Sequence, residues 1–339
     1  MFQHILVPLD GSKRAESALP VAASIARATG GSLLFVRVVS LPTDHALYVT
    51  EPFVLPQEIP ATECQTASAY LATKKQAPEF EGIPIQTRLL VGMPAQQILS
   101  YMETQEIDLI VMCSRGETGL KRWTRGSVAQ NVLRHSHVPV VILHESAGLL
   151  GDQHPTKRRP VRVLVALNGS SLAEKTVQPA ALLSNALSEP EKGLLHLVHV
   201  LRIPERAHEA EERSAAFQLD LAVARTHLRL AEESFLENAH THAGCLVQAS
   251  VVGAREIASG IIRAAEDGIP ATAETEARSA CDVIALTTHG RSGPERWVLG
   301  SIAERLLDGT RLPLLVVPSS WDAKPYLQDA LATPASVTS

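Results

Sequence analysis

Near its beginning the chain reads HILVPLDGS over residues 4–12, and a related stretch, RVLVALNGS, follows over residues 162–170. Short apolar runs of this kind, rich in β-branched residues, are typical of strands buried inside a parallel sheet. The serine that closes each stretch is a preferred residue for capping the first turn of a helix. The pattern therefore predicts the first strand and first helix of an α/β unit, present once in each half of the chain.

A glycine loop is repeated in the same way. Ser114-Arg115-Gly116 is followed after nine residues by Gly126-Ser127, and Thr288-His289-Gly290 is followed after nine residues by Gly300-Ser301. Glycine lets a ligand approach the backbone closely, and a helix start offers N–H groups that have no partner within the helix. The loop thus predicts a phosphate cradle in each half, which points to nucleotide binding.

The spacing between matching segments indicates the domain organisation. It is 158 at the two first strands, 161 at Val91-Gly92 and Val252-Gly253, and 174 from Asp108 and Asp282 onward. Repetition on this scale indicates two homologous domains rather than a solenoid. The rise from 161 to 174 locates an insertion of 13 residues in the second half, at about 266–280, where we expect a turn and a short helix. The predicted parts are a first domain over 1–145, a linker over 146–160, a second domain over 161–319 and a loosely ordered tail over 320–339.

Composition narrows the class of protein. With 31 Lys and Arg against 36 Asp and Glu, the net charge of -5 argues against nucleic acid as a partner. The four cysteines form no C-x-x-C pair, which favours reduced thiols. No signal peptide precedes the first strand, and no apolar run reaches the roughly 18 residues of a membrane span. We therefore expect a cytoplasmic protein without a membrane partner.

Strand-like and helix-like segments alternate through both halves. The strands are predicted over 5–9, 33–39, 85–91, 109–112 and 138–143, then over 163–167, 195–201, 246–252, 283–286 and 314–317. The helices of the first half are predicted over 12–29, 59–77, 94–105 and 127–135. This order implies a parallel sheet with right-handed crossovers and helices on both faces. A ligand then belongs at the carboxyl ends of the strands, near a topological switch point.

These features together resemble the universal stress protein family, and specifically tandem members of the UspA-like superfamily. The resemblance rests on residues 7–12, the Val-Gly pair that ends the third strand, the glycine loops, and the endings over 137–141 and 311–315. Nucleotide-binding members of the family carry G-x2-G-x9-G-(S/T). The resemblance implies two tandem doubly wound five-stranded parallel-sheet domains of strand order 3-2-1-4-5, similar to adenine-nucleotide α-hydrolases. It also implies an intrachain pseudo-dimer, packed through the last strands at 138–143 and 312–317.

The same resemblance implies ATP as the ligand, accompanied by Mg²⁺ or Mn²⁺. Asp10 and Gly11 would lie near the nucleoside and the metal, with Asp10 as the metal ligand, and Asn168 and Gly169 are their counterparts. The adenine would be bordered by the backbone of Val38 in the first half and of Val200 in the second. The phosphates would be held by Gly116, Gly126, Ser127 and Val128, and by Gly290, Gly300, Ser301 and Ile302. Ser114, Arg115, Thr288 and His289 are the further nucleotide-binding residues expected in these loops.

Two departures from the family pattern change these expectations. The first motif glycine is replaced by Cys113 in one half and by Thr287 in the other, so the backbone there is less free. Asn168 stands where the first half has Asp10, and a neutral amide binds a divalent cation more weakly than a carboxylate does. We therefore expect the first half to hold the better ATP–metal site and the second half to hold the weaker one.

Each signal also has a purely structural interpretation. Gly-Ser at a helix start can be only a turn and a cap, and Asp10 or Asn168 can simply cap the first helix of its half. The pairs His135/His137 and His240/His242 lack carboxylate or cysteine companions at ligand spacing, so they are interpreted as surface residues.

The functional hypothesis is a nucleotide-dependent stress-response or regulatory protein with at most slow ATP hydrolysis. No lysine follows the loop glycines as in a P-loop, and no nucleophile elbow or Ser-His-Asp order stands out, so no catalytic residue is assigned. Two alternatives stay open: a non-nucleotide interaction or scaffold protein of the same fold, and an adenine-nucleotide α-hydrolase. The expected partners are an adenine nucleotide, a second copy in a homodimer, and an unknown regulatory protein.

Overall fold

The computed structural model describes residues 1–40, 61–114, 126–144, 159–203, 215–237, 244–271, 277–288 and 299–322. The strands are β1 (His4–Pro8), β2 (Ser32–Val39), β3 (Ile85–Val91), β4 (Leu109–Cys113), β5 (Val140–Leu143), β6 (Arg162–Leu167), β7 (Leu194–Arg202), β8 (Leu246–Ala254), β9 (Val283–Thr287) and β10 (Leu314–Val317). The helices of the first half are α1 (Lys13–Glu16), α2 (Ala18–Thr29), α3 (Ala61–Lys75), α4 (Pro94–Thr104) and α5 (Ser127–His135), with a 3₁₀ turn at Pro78–Phe80. Those of the second half are α6 (Ser171–Glu174), α7 (Val177–Ser188), α8 (Ala215–Glu237), α9 (Ile257–Glu266) and α10 (Ser301–Gly309).

The ten strands formed by the described residues make one sheet, in the order β3-β2-β1-β4-β5-β10-β9-β6-β7-β8. Within each half the strands are parallel and follow the order 3-2-1-4-5, so the predicted fold class is confirmed. The order reverses between β1 and β4, because β2 and β3 extend the sheet on one side of β1 and β4 and β5 then extend it on the other. It reverses in the same way between β6 and β9. These two places are the topological switch points of the sheet.

The two halves are joined through their last strands. β5 and β10 pair antiparallel, with Leu315 opposite Val141 and Leu314 opposite Ile142. These side chains are at most 1% exposed, and alternate residues enter the apolar cores on opposite faces of the sheet. Each core therefore continues across the junction, which confirms the predicted intrachain pseudo-dimer.

The first helix of each half is interrupted, so the continuous helix predicted over 12–29 was wrong. The structure breaks it at Ser17, between α1 and α2, and breaks its counterpart between α6 and α7. Pro20 and Pro179 explain the position, because proline lacks an N–H and its ring clashes with the carbonyl four residues earlier. Each proline is the third residue of the helix that restarts, where a missing N–H costs no hydrogen bond.

The described part of the insertion contains the expected turn, whereas the stretch in which a short helix is expected lies largely outside the described residues. α9 ends at Glu266, Gly268 turns the chain with a φ of +82°, and Ile269 and Arg278 exchange backbone hydrogen bonds of 2.9 and 2.7 Å. Residues 272–276 lie outside the described part, as do most of the predicted linker and tail. The domain boundaries stay a prediction. None of the helices formed by the described residues is long and apolar enough to cross a membrane.

Candidate functional site

A cavity of about 390 Å³ opens at the switch point of the first half, above the carboxyl ends of β1, β2 and β4. Its walls include six of the residues predicted for the first site, namely Asp10, Val38, Ser114, Gly126, Ser127 and Val128. These residues come from three strands and one helix that are far apart in the sequence. The fold therefore brings the predicted residues together in one place.

The loop between the predicted glycines is closed by the same hydrogen bond in both halves. The Gly126 N–H donates to the Ser114 carbonyl at 3.1 Å, and the Gly300 N–H donates to the Thr288 carbonyl at 2.8 Å. Ser114 and Thr288 are themselves anchored to the last strand of their half, because their N–H groups donate to the carbonyls of Leu143 and Val317. The predicted loop residues Arg115, Gly116, His289 and Gly290 lie outside the described residues.

A helix start points into the cavity without a side-chain cap. α5 begins at Ser127, and its N-cap is Gly126, which has no side chain to accept the first amides. The N–H groups of the first turn have no partner within the helix, and the helix dipole places partial positive charge there. Because Gly126 has a φ of -56° and Gly300 a φ of -61°, their backbones do not require glycine. What the glycine provides is room in front of these amides.

Asp10 organises the turn that leads from β1 into α1. Its Oδ1 accepts hydrogen bonds from the Ser12 N–H at 2.9 Å and the Ser12 hydroxyl at 2.6 Å. The Ser12 Oγ in turn accepts from the Ala15 N–H at 3.1 Å, so Ser12 is the residue that caps the helix. The carboxylate of Asp10 also forms part of the cavity wall. Asp10 thus has a structural role in the turn and a position at the site.

Asn168 builds the equivalent turn in the second half. Its Oδ1 accepts from the Ser170 N–H at 3.1 Å and the Ser170 hydroxyl at 2.7 Å, and Ser170 caps α6 through the Ala173 N–H. The amide oxygen therefore reproduces the structural bonds of the carboxylate. What changes between the halves is the negative charge, because the second carboxylate oxygen is replaced by an NH₂ donor.

Gly11 and Gly169 are required by the backbone of these turns. Their φ angles are +92° and +71°, in the left-handed region that favours glycine. A Cβ on Gly11 would also lie 3.0 to 3.2 Å from the guanidinium of Arg37. The described cavity wall does not include Gly11, so Gly11 shapes the site from outside it.

Arg37 is a cavity residue that the sequence reasoning missed. It lies on β2, and its guanidinium carbon is 4.9 Å from the centre of the Tyr70 ring. Tyr70 donates to the Glu16 carboxylate at 2.9 Å, and Lys74 pairs with the same carboxylate at 2.8 Å. Burial and the bond to Glu16 raise the pKa of Tyr70, so the ring that supports Arg37 stays neutral. In the sequence, Arg37 could have been noticed as the one charged residue within the otherwise apolar run over 33–39.

The remaining wall of the cavity is largely apolar. It includes Leu9, Val36, Ile98 and Met112, which face the cavity beside Val38. An apolar wall next to a cluster of convergent N–H groups is the usual composition of a small-molecule site. The cavity can therefore hold a ligand with one flat apolar part and one anionic part.

The second half has a different arrangement around the corresponding residues. Val200 is buried, and the Cβ position of Gly260 would lie 2.8 Å from its Cγ1, so α9 packs tightly against the strand here. Glu256 caps α9 and pairs with Arg305 of α10 at 2.9 Å, which ties together the two helices. Although its partial burial opposes ionisation, hydrogen bonds from Ser259 and Arg305 lower the pKa of Glu256 to about 2.

Two doubly wound units joined edge to edge, with a cavity at the first switch point, define a tandem α/β protein. Comparison with known proteins identifies the family of this chain. The model of the universal stress protein family matches residues 1–144 and 161–318, and the chain therefore belongs to that family. The resemblance drawn from the sequence motifs is confirmed.

Some relatives match one half of the chain and others match nearly all of it. A universal stress protein of Methanocaldococcus jannaschii is 34% identical over 42% of this chain and 82% of its own length. One from Mycobacterium tuberculosis is 22% identical and covers 94% of this chain and 98% of its own. The crystal structure of a universal stress protein from Archaeoglobus fulgidus has a TM-score of 0.59 at 19% identity, covering 94% of this chain and 99% of that one. At this identity the structural likeness shows the fold.

Proposed function

We propose that the protein binds ATP in the cavity of the first half and acts as a nucleotide-dependent stress-response or regulatory protein. The observation that carries this proposal is the convergence of Asp10, Val38, Ser114 and the uncapped start of α5 on one cavity. A helix N-terminus with open amides is a common anion-binding arrangement, and here it lies beside an apolar wall. Membership of the family is consistent with this function.

The two ends of the cavity suit the two ends of an adenine nucleotide. Val38 and the neighbouring apolar residues would border the adenine, while the amides of Ser127 and Val128 would bind phosphate oxygens. Hydrogen bonds from several amides to an ionised phosphate are stronger than those between neutral groups. Arg37 adds a cation at the same cavity, supported by the Tyr70 ring. We infer that Arg37 contributes to the charge balance of the bound nucleotide.

Asp10 fits the role of metal ligand in this proposal. Mg²⁺ in nucleotide sites is usually bound by one or two carboxylates together with phosphates and water, and Mn²⁺ accepts the same oxygen ligands. Within the described residues, no three His, Cys, Asp or Glu side chains come together as a ligand set. We propose that a metal would be held by Asp10 and by the nucleotide itself, with Glu63 as the other carboxylate in the described cavity wall, and that it would neutralise phosphate charge.

The second half is proposed to bind nucleotide more weakly or without a metal. Asn168 keeps the turn but lacks the carboxylate charge, and Thr288, Gly300, Ser301 and Ile302 keep the loop closure and the helix start. We assign no catalytic residue in either half. We propose that the protein acts through the presence or absence of bound nucleotide, with at most slow hydrolysis of ATP.

The proposal is tested by calorimetric titration of the full chain with ATP, in the presence of Mg²⁺ and in its absence. We expect one tighter site per chain whose affinity depends on the metal, and a second, weaker site. A dissociation constant of about 1 mM corresponds to a binding free energy of only about 4 kcal/mol. Absence of detectable binding at about 1 mM ATP would therefore contradict the proposal and favour the interaction-protein alternative.

Gly11→Ala is expected to weaken ATP binding about two- to fivefold, because the new Cβ displaces Arg37 by a few tenths of an ångström. Gly30→Ala is the matched control: Gly30 also has a positive φ, of +65°, but no atom lies within 4 Å of its Cβ position. Both variants should lose a similar amount of stability, about 1 kcal/mol, from left-handed strain. Calorimetry and thermal unfolding measure the two effects. Equal ATP affinities in the two variants would show that Arg37 does not contribute to ATP binding.

A further inference from the structure

The second half contains another cavity, of about 110 Å³, at the opposite end of the sheet from the predicted nucleotide sites. It lies near the amino ends of β6, β7 and β8, where no ligand is expected from the switch-point rule. Its lining consists of Arg162, Leu194, His196, Gln248, Ala277, Arg278, Ser279 and Cys281. Six of these eight side chains can donate a hydrogen bond.

The floor of this cavity is formed by three adjacent strands. Arg162 on β6 is in register with Leu194 on β7, and His196 on β7 is in register with Gln248 on β8. His196 is only 1% exposed, and its Nε2 lies 3.0 Å from the hydroxyl of buried Ser250. The polar groups are therefore held by a regular sheet and not by flexible surface side chains.

The roof comes from the insertion found by sequence comparison of the two halves. The backbone bridge between Ile269 and Arg278 closes the loop, and the Cys281 N–H donates to the Ala265 carbonyl at 2.7 Å. Gly268 makes this closure possible, because a Cβ there would lie 2.3 Å from the Arg278 carbonyl oxygen. Several backbone bonds thus hold Arg278 over the floor.

In the first half, the position equivalent to His196 is occupied by an apolar residue. At the spacing of 162, His196 corresponds to Leu34, which is buried in the apolar core, and the first half has no insertion. Burying a histidine in place of a leucine lowers the stability of the folded protein unless the ring nitrogens gain hydrogen-bond partners. The polar floor and the roof therefore occur together, in the same half, which indicates that they form one site.

The described residues that line the cavity carry a net positive charge. Arg162 and Arg278 contribute two cations, and no carboxylate occurs among the described lining residues. Asp282 lies beside the cavity, where its carboxylate pairs with Arg159 and accepts the Arg162 N–H. Burial and the positive charge of Arg278 lower the pKa of His196 to about 4, so the imidazole is neutral at pH 7 and carries one N–H.

We propose that this cavity binds a small inorganic oxyanion of the phosphate or sulfate type. Guanidinium groups present paired N–H donors that match the oxygens of such an anion, and the Gln and Ser side chains add neutral donors. The cavity has room for several water molecules or one small anion, but it is much smaller than the cavity of about 390 Å³ in the first half. The site is independent of the proposed ATP site.

The test is calorimetric titration of the full chain with inorganic phosphate, repeated with sulfate and with chloride. We expect phosphate and sulfate to bind, and Arg278→Gln to weaken that binding about tenfold or more, because a charge-assisted contact is lost. Arg229→Gln is the matched control: it removes the same charge from an exposed pair on α8 and should leave the affinity within about twofold. Any phosphate bound at the glycine loop of the first half is unaffected by Arg278→Gln, so the difference reports the cavity alone.

Arg162→Gln provides a second variant from the floor, in case the first alters the loop. It should also weaken phosphate binding, and circular dichroism should show that both variants keep the native secondary structure. Failure of wild-type protein to bind phosphate or sulfate at about 10 mM would overturn the proposal, since even millimolar affinity corresponds to only about 4 kcal/mol. Equal affinities for wild type, Arg278→Gln and Arg162→Gln would overturn it as well.

Discussion

Gly126→Val is expected to lower the ATP affinity of the first half by at least about 100-fold, because the valine side chain covers amides that would bind phosphate. A loss of this size corresponds to about 2.7 kcal/mol, or roughly two hydrogen bonds to a charged group. The φ of Gly126 is -56°, which valine can adopt, so the backbone should keep its course. The cost to the helix cap should stay near 1 kcal/mol. Binding is therefore lost far more than stability.

Gly300→Val is the matched variant in the second half. Gly300 has a similar φ of -61° and closes the same loop, so the substitution makes the same change in stability. It should abolish only the weaker ATP-binding event and leave the tighter one within about twofold. Calorimetry with Mg²⁺ and thermal unfolding of both variants make the comparison. If neither variant binds ATP less well than wild type, the assignment of the glycine loops is wrong.

Asp10→Asn is expected to remove most of the metal dependence of ATP binding in the first half. Asn168 demonstrates that an amide can make both hydrogen bonds of this turn, so the variant should fold normally. The carboxylate charge is lost, and with it the metal ligand. We expect the gain in ATP affinity on adding Mg²⁺ to fall by about tenfold, or about 1.4 kcal/mol.

Asn168→Asp makes the reciprocal change and should introduce metal dependence at the second site. The control for Asp10→Asn is Asp220→Asn, which removes one negative charge from an exposed position on α8. It should leave the ATP affinity and the metal dependence of both sites unaltered. Titrations with and without Mg²⁺, and with Mn²⁺ in its place, give the required affinities. A first site with unchanged metal dependence in Asp10→Asn would show that Asp10 serves the turn alone.

The order and type of the regular elements followed from the sequence to a large extent. All ten strands lie where the apolar runs predict them, within two residues at each end, and α5 spans the predicted 127–135. These segments are strongly patterned, because both faces of a parallel sheet are buried. The break at Ser17 was missed because the helical pattern continues across it. The signal was Pro20, because proline is tolerated in the first turn of a helix and disrupts its interior.

The candidate site was predicted less completely. Asp10 and Gly126 were recognisable because they belong to a repeated motif. Arg37 was not, since its importance depends on the packing of β2 against Tyr70 and on the glycine turn at Gly11. The roles assigned to all the predicted site residues stay predictions, and Arg115 and His289 also lie outside the described part of the chain.

The sequence by itself determined the duplication, the strand pattern and the inequality between Asp10 and Asn168, because these depend on local residue types and on their spacing. Only the tertiary structure decided the antiparallel register in which β5 and β10 join the halves, and that the insertion covers a polar cavity beside His196. Both depend on contacts between residues far apart in the chain. Such contacts are set by how complete elements pack together, which no local pattern of residues specifies.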